Sequence, residues 1–218
     1  MKSSLLLLLS FLLLSSLPNL LMADNLEPLY DSSGDKVVTG TRYYLVPAFS
    51  GHGGGLYAKP STCPGEIFQE NSDSLLGQAV LFYPANYTYV SGTVVHESSA
   101  LDIHFSGQAC RKAANAWTVS YFDDVVGAWI VTAYGFVGNP GPYGFKFEKV
   151  CNDNVYQILF DPPTALGLPK SYVGVTSEAE RRTALISVPP LRLKIVKASD
   201  ALQVKEARLN KGRIASVV

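Results

Sequence analysis

The sequence predicts an antiparallel all-β domain, and three observations carry that prediction. Short runs of aromatic and β-branched residues recur along the chain, the composition that packs well on a pleated surface. Gly, Pro, Asn, Asp or Ser punctuates most of the gaps between them. No long stretch carries the 3.6-residue apolar period of a helix.

The elements follow in chain order. After a turn-like Asp31-Ser-Ser-Gly34-Asp35, Tyr43–Val46 is the first strand. His52-Gly53-Gly54-Gly55 breaks the chain before Leu56-Tyr57. Further strands are predicted at Ala79–Tyr83, Thr93–His96, Leu101–Phe105, Trp117–Tyr121, Ala128–Tyr134, Phe145–Val150, Val155–Phe160, Ala184–Val188 and Leu191–Val196. Leu101-Asp-Ile-His-Phe105 and Leu191-Arg-Leu-Lys-Ile195 alternate apolar and polar, which places one face of each strand in a core. Pro28, Pro47 and Pro84 fall near boundaries, where a missing N–H costs little. Leu101, Phe145 and Leu191 mark a weak threefold rhythm, so three four-strand units around a pseudo-threefold axis fit the pattern. The pattern alone also admits a sandwich.

The 218 residues are 47% hydrophobic, with eighteen Lys and Arg against eighteen Asp and Glu. That is apolar enough to offset the entropy of folding, and the balanced charge provides no general field for a polyanion such as nucleic acid. Met1-Lys2 followed by the leucine-rich run to Leu14 reads as a secretory signal peptide, with Ala23 a small residue at the cleavage site. Residues 1–23 are therefore expected to leave, and 24–218 to fold as one domain with no membrane association afterwards. The product is expected in the extracellular space, with the vacuole as the alternative. Only Cys63, Cys110 and Cys151 are available, which allows one internal disulfide and excludes a disulfide-dense scaffold.

Several ordered motifs resemble the plant Kunitz, or soybean trypsin inhibitor, family. The opening Leu29-Tyr-Asp-Ser-Ser-Gly-Asp-Lys-Val-Val-Thr-Gly-Thr-Arg-Tyr-Tyr-Leu-Val-Pro47 matches its signature closely. The likeness continues through Gly53-Gly-Gly-Leu-Tyr-Ala, Cys63-Pro64, Leu101-Asp-Ile-His-Phe, Trp117-Thr-Val, Gly138-Asn-Pro-Gly-Pro, Phe145-Lys-Phe-Glu-Lys-Val and the terminal Leu191-Arg-Leu-Lys-Ile-Val, spanning residues 27–198. The resemblance implies a β-trefoil and a disulfide between Cys63 and Cys110. A second family disulfide is missing, because Asp161 and Ser171 stand near its two positions. The loop between them must then rest on packing, on Pro162, Pro163 and Pro169, or move. Cys151 resembles the extra cysteine of miraculin-like members. It is read first as a free thiol on a monomer, with a Cys151-linked dimer as the alternative.

The family inhibits proteases with an exposed loop that enters the enzyme's cleft as a rigid pseudo-substrate. Alignment places that loop within Tyr83-Pro84-Ala85-Asn86-Tyr87-Thr88-Tyr89, and the primary specificity position at Asn86 or Tyr87. Neither is the Arg or Lys of a trypsin-directed member. Tyr87 suits an apolar, chymotrypsin-like pocket. The family asparagine that braces the loop aligns with Thr39, whose shorter side chain has less reach. Asn86-Tyr87-Thr88 is also an N-glycosylation sequon, and a glycan at Asn86 would hinder a protease there.

Other signals are weak. His52, His96 and His104 lack metal-ligand spacing with the cysteines, so no metal and no cofactor are expected. Asp123-Asp124 reads as a solvated turn, and Arg111-Lys112 and Arg181-Arg182 as solvated loops. Gly53-Gly54-Gly55 lacks the strand–loop–helix setting of a phosphate cradle and reads as a tight or flexible turn. No catalytic constellation is visible, so the chain is not expected to be an enzyme. The expectation is a secreted, glycosylated inhibitor of a serine endopeptidase in plant defence. The rival is a non-inhibitory binding, storage or stress-related protein on the same scaffold.

Overall fold

Six strands close into a ring, and the period-two pattern of the sequence explains their interior. In the computed structural model the described residues are 26–59, 65–85, 90–107, 115–135, 144–151, 153–177, 179–186 and 189–215. The strands are β1 (Tyr43–Pro47), β2 (Leu56–Ala58), β3 (Ile67–Gln69), β4 (Val80–Pro84), β5 (Leu101–Phe105) and β6 (Ala116–Asp123). They continue as β7 (Ala128–Gly135), β8 (Phe145–Cys151), β9 (Val155–Phe160), β10 (Ser171–Val175), β11 (Thr183–Ile186) and β12 (Leu193–Lys197). A helix, α1 (Ala201–Ala215), follows.

Antiparallel pairing runs β1–β4–β5–β8–β9–β12 and returns to β1, which closes the barrel. The first and fourth strand of each four-strand unit meet through one equivalent pair: Tyr43 with Val80, Leu101 with Phe145, and Tyr156 with Leu193. The remaining strands form three hairpins, β2–β3, β6–β7 and β10–β11. These hairpins also pair with one another, through Glu66 with Thr132, Phe68 with Arg182, and Ile130 and Trp129 with Ala184 and Leu185. A six-stranded barrel capped by a hairpin triplet is a β-trefoil.

The threefold rhythm is real, but its register differs from the sequence marks. Leu101 opens the second unit, whereas Phe145 and Leu193 open the closing strands of the second and third. The marks therefore combine one opening strand with two closing ones. Two strands were not predicted: β3, which is only three residues long, and β10, whose alternation Gly174 interrupts. Thr93–His96 forms isolated bridges, Val94 with Val38 and His96 with Pro28, in place of a strand.

Alternate residues fill the barrel. Leu45, Phe82, Ile103, Phe147, Ile158 and Ile195 are all at most 1% exposed. Phe82 meets Phe147 edge-on at 5.5 Å, and Phe147 meets Tyr156 at 6.2 Å. Each such side chain contributes about 1.5–3 kcal/mol by leaving water. Two barrel tyrosines also hold the entry segment: the Tyr43 hydroxyl accepts Val38 N–H at 3.0 Å, and that of Tyr156 accepts Tyr30 N–H at 2.9 Å.

The helix was not anticipated, because its attachment is polar. Ala201 and Arg208 are buried, while Leu202 is 76% exposed. Arg208 Nη2 donates to the Pro47 carbonyl at 2.6 Å, and burial pushes its pKa down. An arginine anchor leaves no apolar stripe to read.

Candidate functional site

The two connections between units are not alike. Strand β9 starts at Val155, only four positions after Cys151 ends β8, and Asn154 before it stands at φ +53°. At the equivalent place between β4 and β5 the chain takes residues 85–100. A long excursion at a place where the fold needs only a tight turn is a functional candidate. It contains the predicted loop. Pro84 and Ala85 lie among the described residues; Asn86, Tyr87, Thr88 and Tyr89 lie outside them.

The stems on both sides are fixed. On entry, Tyr83 pairs with Asp102 and Pro84 with Leu101, and Ala85 N–H donates to the Ala100 carbonyl at 3.0 Å. The Tyr83 ring stands edge-on to His104, with centroids 4.8 Å apart. Asp102, directly opposite Tyr83, has its pKa raised to about 6 by burial.

On exit, Thr39 holds the backbone beyond the loop. It is buried, and its hydroxyl donates to the carbonyl of Val90, the first described residue after the loop. The same hydroxyl accepts Thr93 N–H at 3.0 Å, and Thr93 Oγ1 adds a second bond to Val90 O at 2.9 Å. Backbone bonds join Thr39 N–H to Thr93 O and Gly92 N–H to Thr39 O, each at 2.9 Å. The short side chain reaches Val90 because the Thr39–Gly92 and Thr39–Thr93 backbone bonds bring the two segments together.

Other predicted residues find different roles. Cys63 and Cys110 lie outside the described residues, as do Arg111-Lys112 and Gly138–Pro142. Cys151 ends β8 as an exposed free thiol. Asp161 and Ser171 are not left as a loose gap. Asp161 pairs with Lys146 at 2.8 Å and Lys170 at 3.2 Å, while Ser171 pairs with Phe160 across β9–β10 and its hydroxyl donates to Ile186 O at 3.0 Å.

Arg181-Arg182 and Asp123 are not solvated loop charges, contrary to the sequence reading. Arg182 is 9% exposed and pairs with Asp123 at 2.7 Å, Glu66 at 3.0 Å and Glu180 at 3.2 Å, tying the three hairpins together. Arg181 donates to His52 O at 2.9 Å and to Gln69 Oε1 at 3.0 Å. Spacing along the chain could not reveal most of these contacts, because His52, Glu66, Gln69 and Asp123 lie in other units than the two arginines. Gly54 and Gly55 are tight: a Cβ there would lie 2.2 Å from Leu75 O and 2.0 Å from Leu76 O. Among the described residues no three His, Cys, Asp or Glu side chains are grouped to hold a metal ion.

A β-trefoil with one long connection braced at both stems defines the class: a scaffold that presents a loop. Residues 29–197 match the family model described as trypsin and protease inhibitor, the legume Kunitz family. Miraculin from Synsepalum dulcificum is 33% identical over 87% of this chain and 95% of its own. Kunitz trypsin inhibitor 5 from Arabidopsis thaliana is 32% identical over 75% of this chain and 82% of its own. The solved structure of MP-4 from Mucuna pruriens superposes with a TM-score of 0.64 at 23% identity, covering 79% of this chain and 99% of that one. The chain belongs to the Kunitz family. It is a protease-inhibitor-like protein, and its family consists of inhibitors rather than enzymes.

Proposed function

We propose that the chain inhibits a serine endopeptidase by presenting residues 84–88 as a substrate-like loop. The observation that carries this reading is the double anchorage of the β4–β5 connection, by Ala85 on entry and by Thr39 at Val90 on exit. A loop held at both stems loses less freedom on entering a cleft, and a cleaved peptide held this way stays in register for resynthesis. Tyr87 fills an apolar primary pocket in this reading, and Asn86 is the alternative contact residue.

The signal peptide, the single mature domain from residue 24 and delivery to the extracellular space or vacuole belong to the same proposal. So does a Cys63–Cys110 disulfide, which would stabilise by about 2–4 kcal/mol. Cys151 stays a free thiol on a monomer; its exposure also supports the linked dimer as the alternative state.

A specificity swap tests the loop. Made without glycan, Tyr87→Arg is expected to lose chymotrypsin inhibition and gain trypsin inhibition. If Asn86→Arg makes the switch, the contact position moves by one residue. If neither variant inhibits trypsin while both remain folded, the loop assignment fails. The Asn86-Tyr87-Thr88 sequon favours a second reading, a non-inhibitory binding, storage or stress-related protein. That reading predicts no inhibition even after glycan removal.

A further inference from the structure

The β6–β7 hairpin points away from the β4–β5 connection. Strand β1 runs from Tyr43, beside Val80 at the start of β4, to Pro47, which leads toward the hairpins. Antiparallel β4 therefore runs the other way, and its loop leaves the barrel at the end opposite the hairpin triplet.

At the hairpin end, apolar surface is presented to water. Val125, in the turn, is 97% exposed, and Phe122 is 46% exposed with its ring 5.8 Å from Trp129. The turn is not slack. Asp123 Oδ1 accepts Val125 N–H at 3.0 Å and Val126 N–H at 3.2 Å, and Gly127 N–H donates to Asp123 O at 2.7 Å. Asp123 Oδ2 meanwhile holds Arg182 at 2.7 Å, which joins the turn to Glu66 on the neighbouring hairpin. An exposed apolar tip on a braced base loses little entropy when covered.

Charge selects the occupant. Asp123, Asp124, Glu66 and Glu180 stand at the base, against Arg181, Arg182 and the Lys59 ammonium over the Phe68 ring. Carboxylates outnumber cations, so a second copy of the same tip would be repelled. A basic rim around an apolar socket would be attracted.

We propose that this hairpin tip is a second docking surface, which inserts Val125 and Phe122 into an apolar pocket rimmed by Lys or Arg on a protein partner. Because it lies opposite the β4–β5 connection, both surfaces can be occupied at once.

The test is selection of a random peptide library against the full mature chain, with counterselection on Val125→Asp. Enriched peptides should carry an apolar residue flanked by Lys or Arg. They should bind Val125→Asp and Asp124→Lys at least tenfold more weakly, lose affinity with salt, and shield Trp129 from acrylamide; Trp117, 2% exposed, is already shielded. Both substitutions sit in an exposed turn, so the unfolding midpoint and protease inhibition should stay unchanged. Peptides that are acidic, uncharged or indifferent to both variants would overturn the proposal. So would two other outcomes: self-association in sedimentation that Val125→Asp abolishes, which assigns the tip to a second copy, or Trp129 shielding by neutral lipid vesicles, which assigns it to a bilayer.

Discussion

Thr39 joins the entry segment to the loop exit through one hydroxyl that both donates and accepts. Thr39→Ala removes both bonds and leaves a buried gap, at a cost to stability of about 1–2 kcal/mol. Inhibition should weaken by about tenfold, equivalent to about 1.4 kcal/mol. Thr39→Ser, which keeps the hydroxyl, should retain both properties; equal inhibition constants for Ala and Ser would sink the bracing role. Asp102 makes a separate claim about pH. Its folded-state pKa, raised to about 6 from 3.8, means that the folded chain holds a proton which the unfolded chain has released. Stability from this group is full below about pH 4 and falls as pH rises to about 6. Asp102→Asn should therefore stabilise the protein above pH 6 by on the order of 1–2 kcal/mol and gain nothing at pH 4. Urea midpoints of the two chains that differ equally at pH 4 and 7.5 would contradict this. The sequence placed Thr39 at a bracing position only by resemblance and gave Asp102 no role, because Thr39 acts on a segment fifty-one positions away.

Among the elements, the segment between β9 and β10 is held by charge where relatives were expected to use a disulfide. Lys146 beside Asp161 holds that carboxyl below its usual pKa, and Lys170 adds to the effect. Because the native pKa is depressed, this contribution is present at neutral pH and is lost as pH falls through the carboxylate range. Asp161→Ala should cost about 0.5–1 kcal/mol and speed proteolytic nicking within residues 162–169. High salt should narrow the difference, and an unchanged nicking rate would show that β9–β10 pairing alone holds the segment. Strand β5 was legible to the residue because apolar and polar side chains alternate along it, and β9 because a dense apolar run is cut off by Asp161-Pro162-Pro163. Three-residue β3 is below the length at which a period can be read, and α1 docks by arginine hydrogen bonds that no hydrophobic pattern encodes. The Gly53–Gly55 turn was legible as punctuation, but its reason, close passage beneath the Leu75 and Leu76 carbonyls, is tertiary.

At the scale of the molecule, the trefoil separates stability from recognition. The barrel interior and the Arg182 tie between hairpins hold the frame, while the β4–β5 connection leaves from the opposite end. The family match ends at residue 197, before α1 begins at Ala201, so the helix is an addition to a complete trefoil. The three-unit plan was visible as a weak rhythm and secured by resemblance. The true equivalents, Tyr43, Leu101 and Tyr156, emerged only from pairing, because the sequence marks mixed the opening strand of one unit with the closing strands of two. The candidate loop and the bracing position of Thr39 were likewise legible by resemblance, whereas the bonds to Val90 and Ala100 were not. The central claim is that this braced connection is an inhibitory loop. The most direct measurement is active-site titration of chymotrypsin with the mature chain, made with and without the Asn86 glycan, with trypsin and elastase in parallel. The account predicts that the glycan-free chain abolishes chymotrypsin activity at one-to-one equivalence. A folded, glycan-free chain that leaves all three enzymes fully active in molar excess would contradict it.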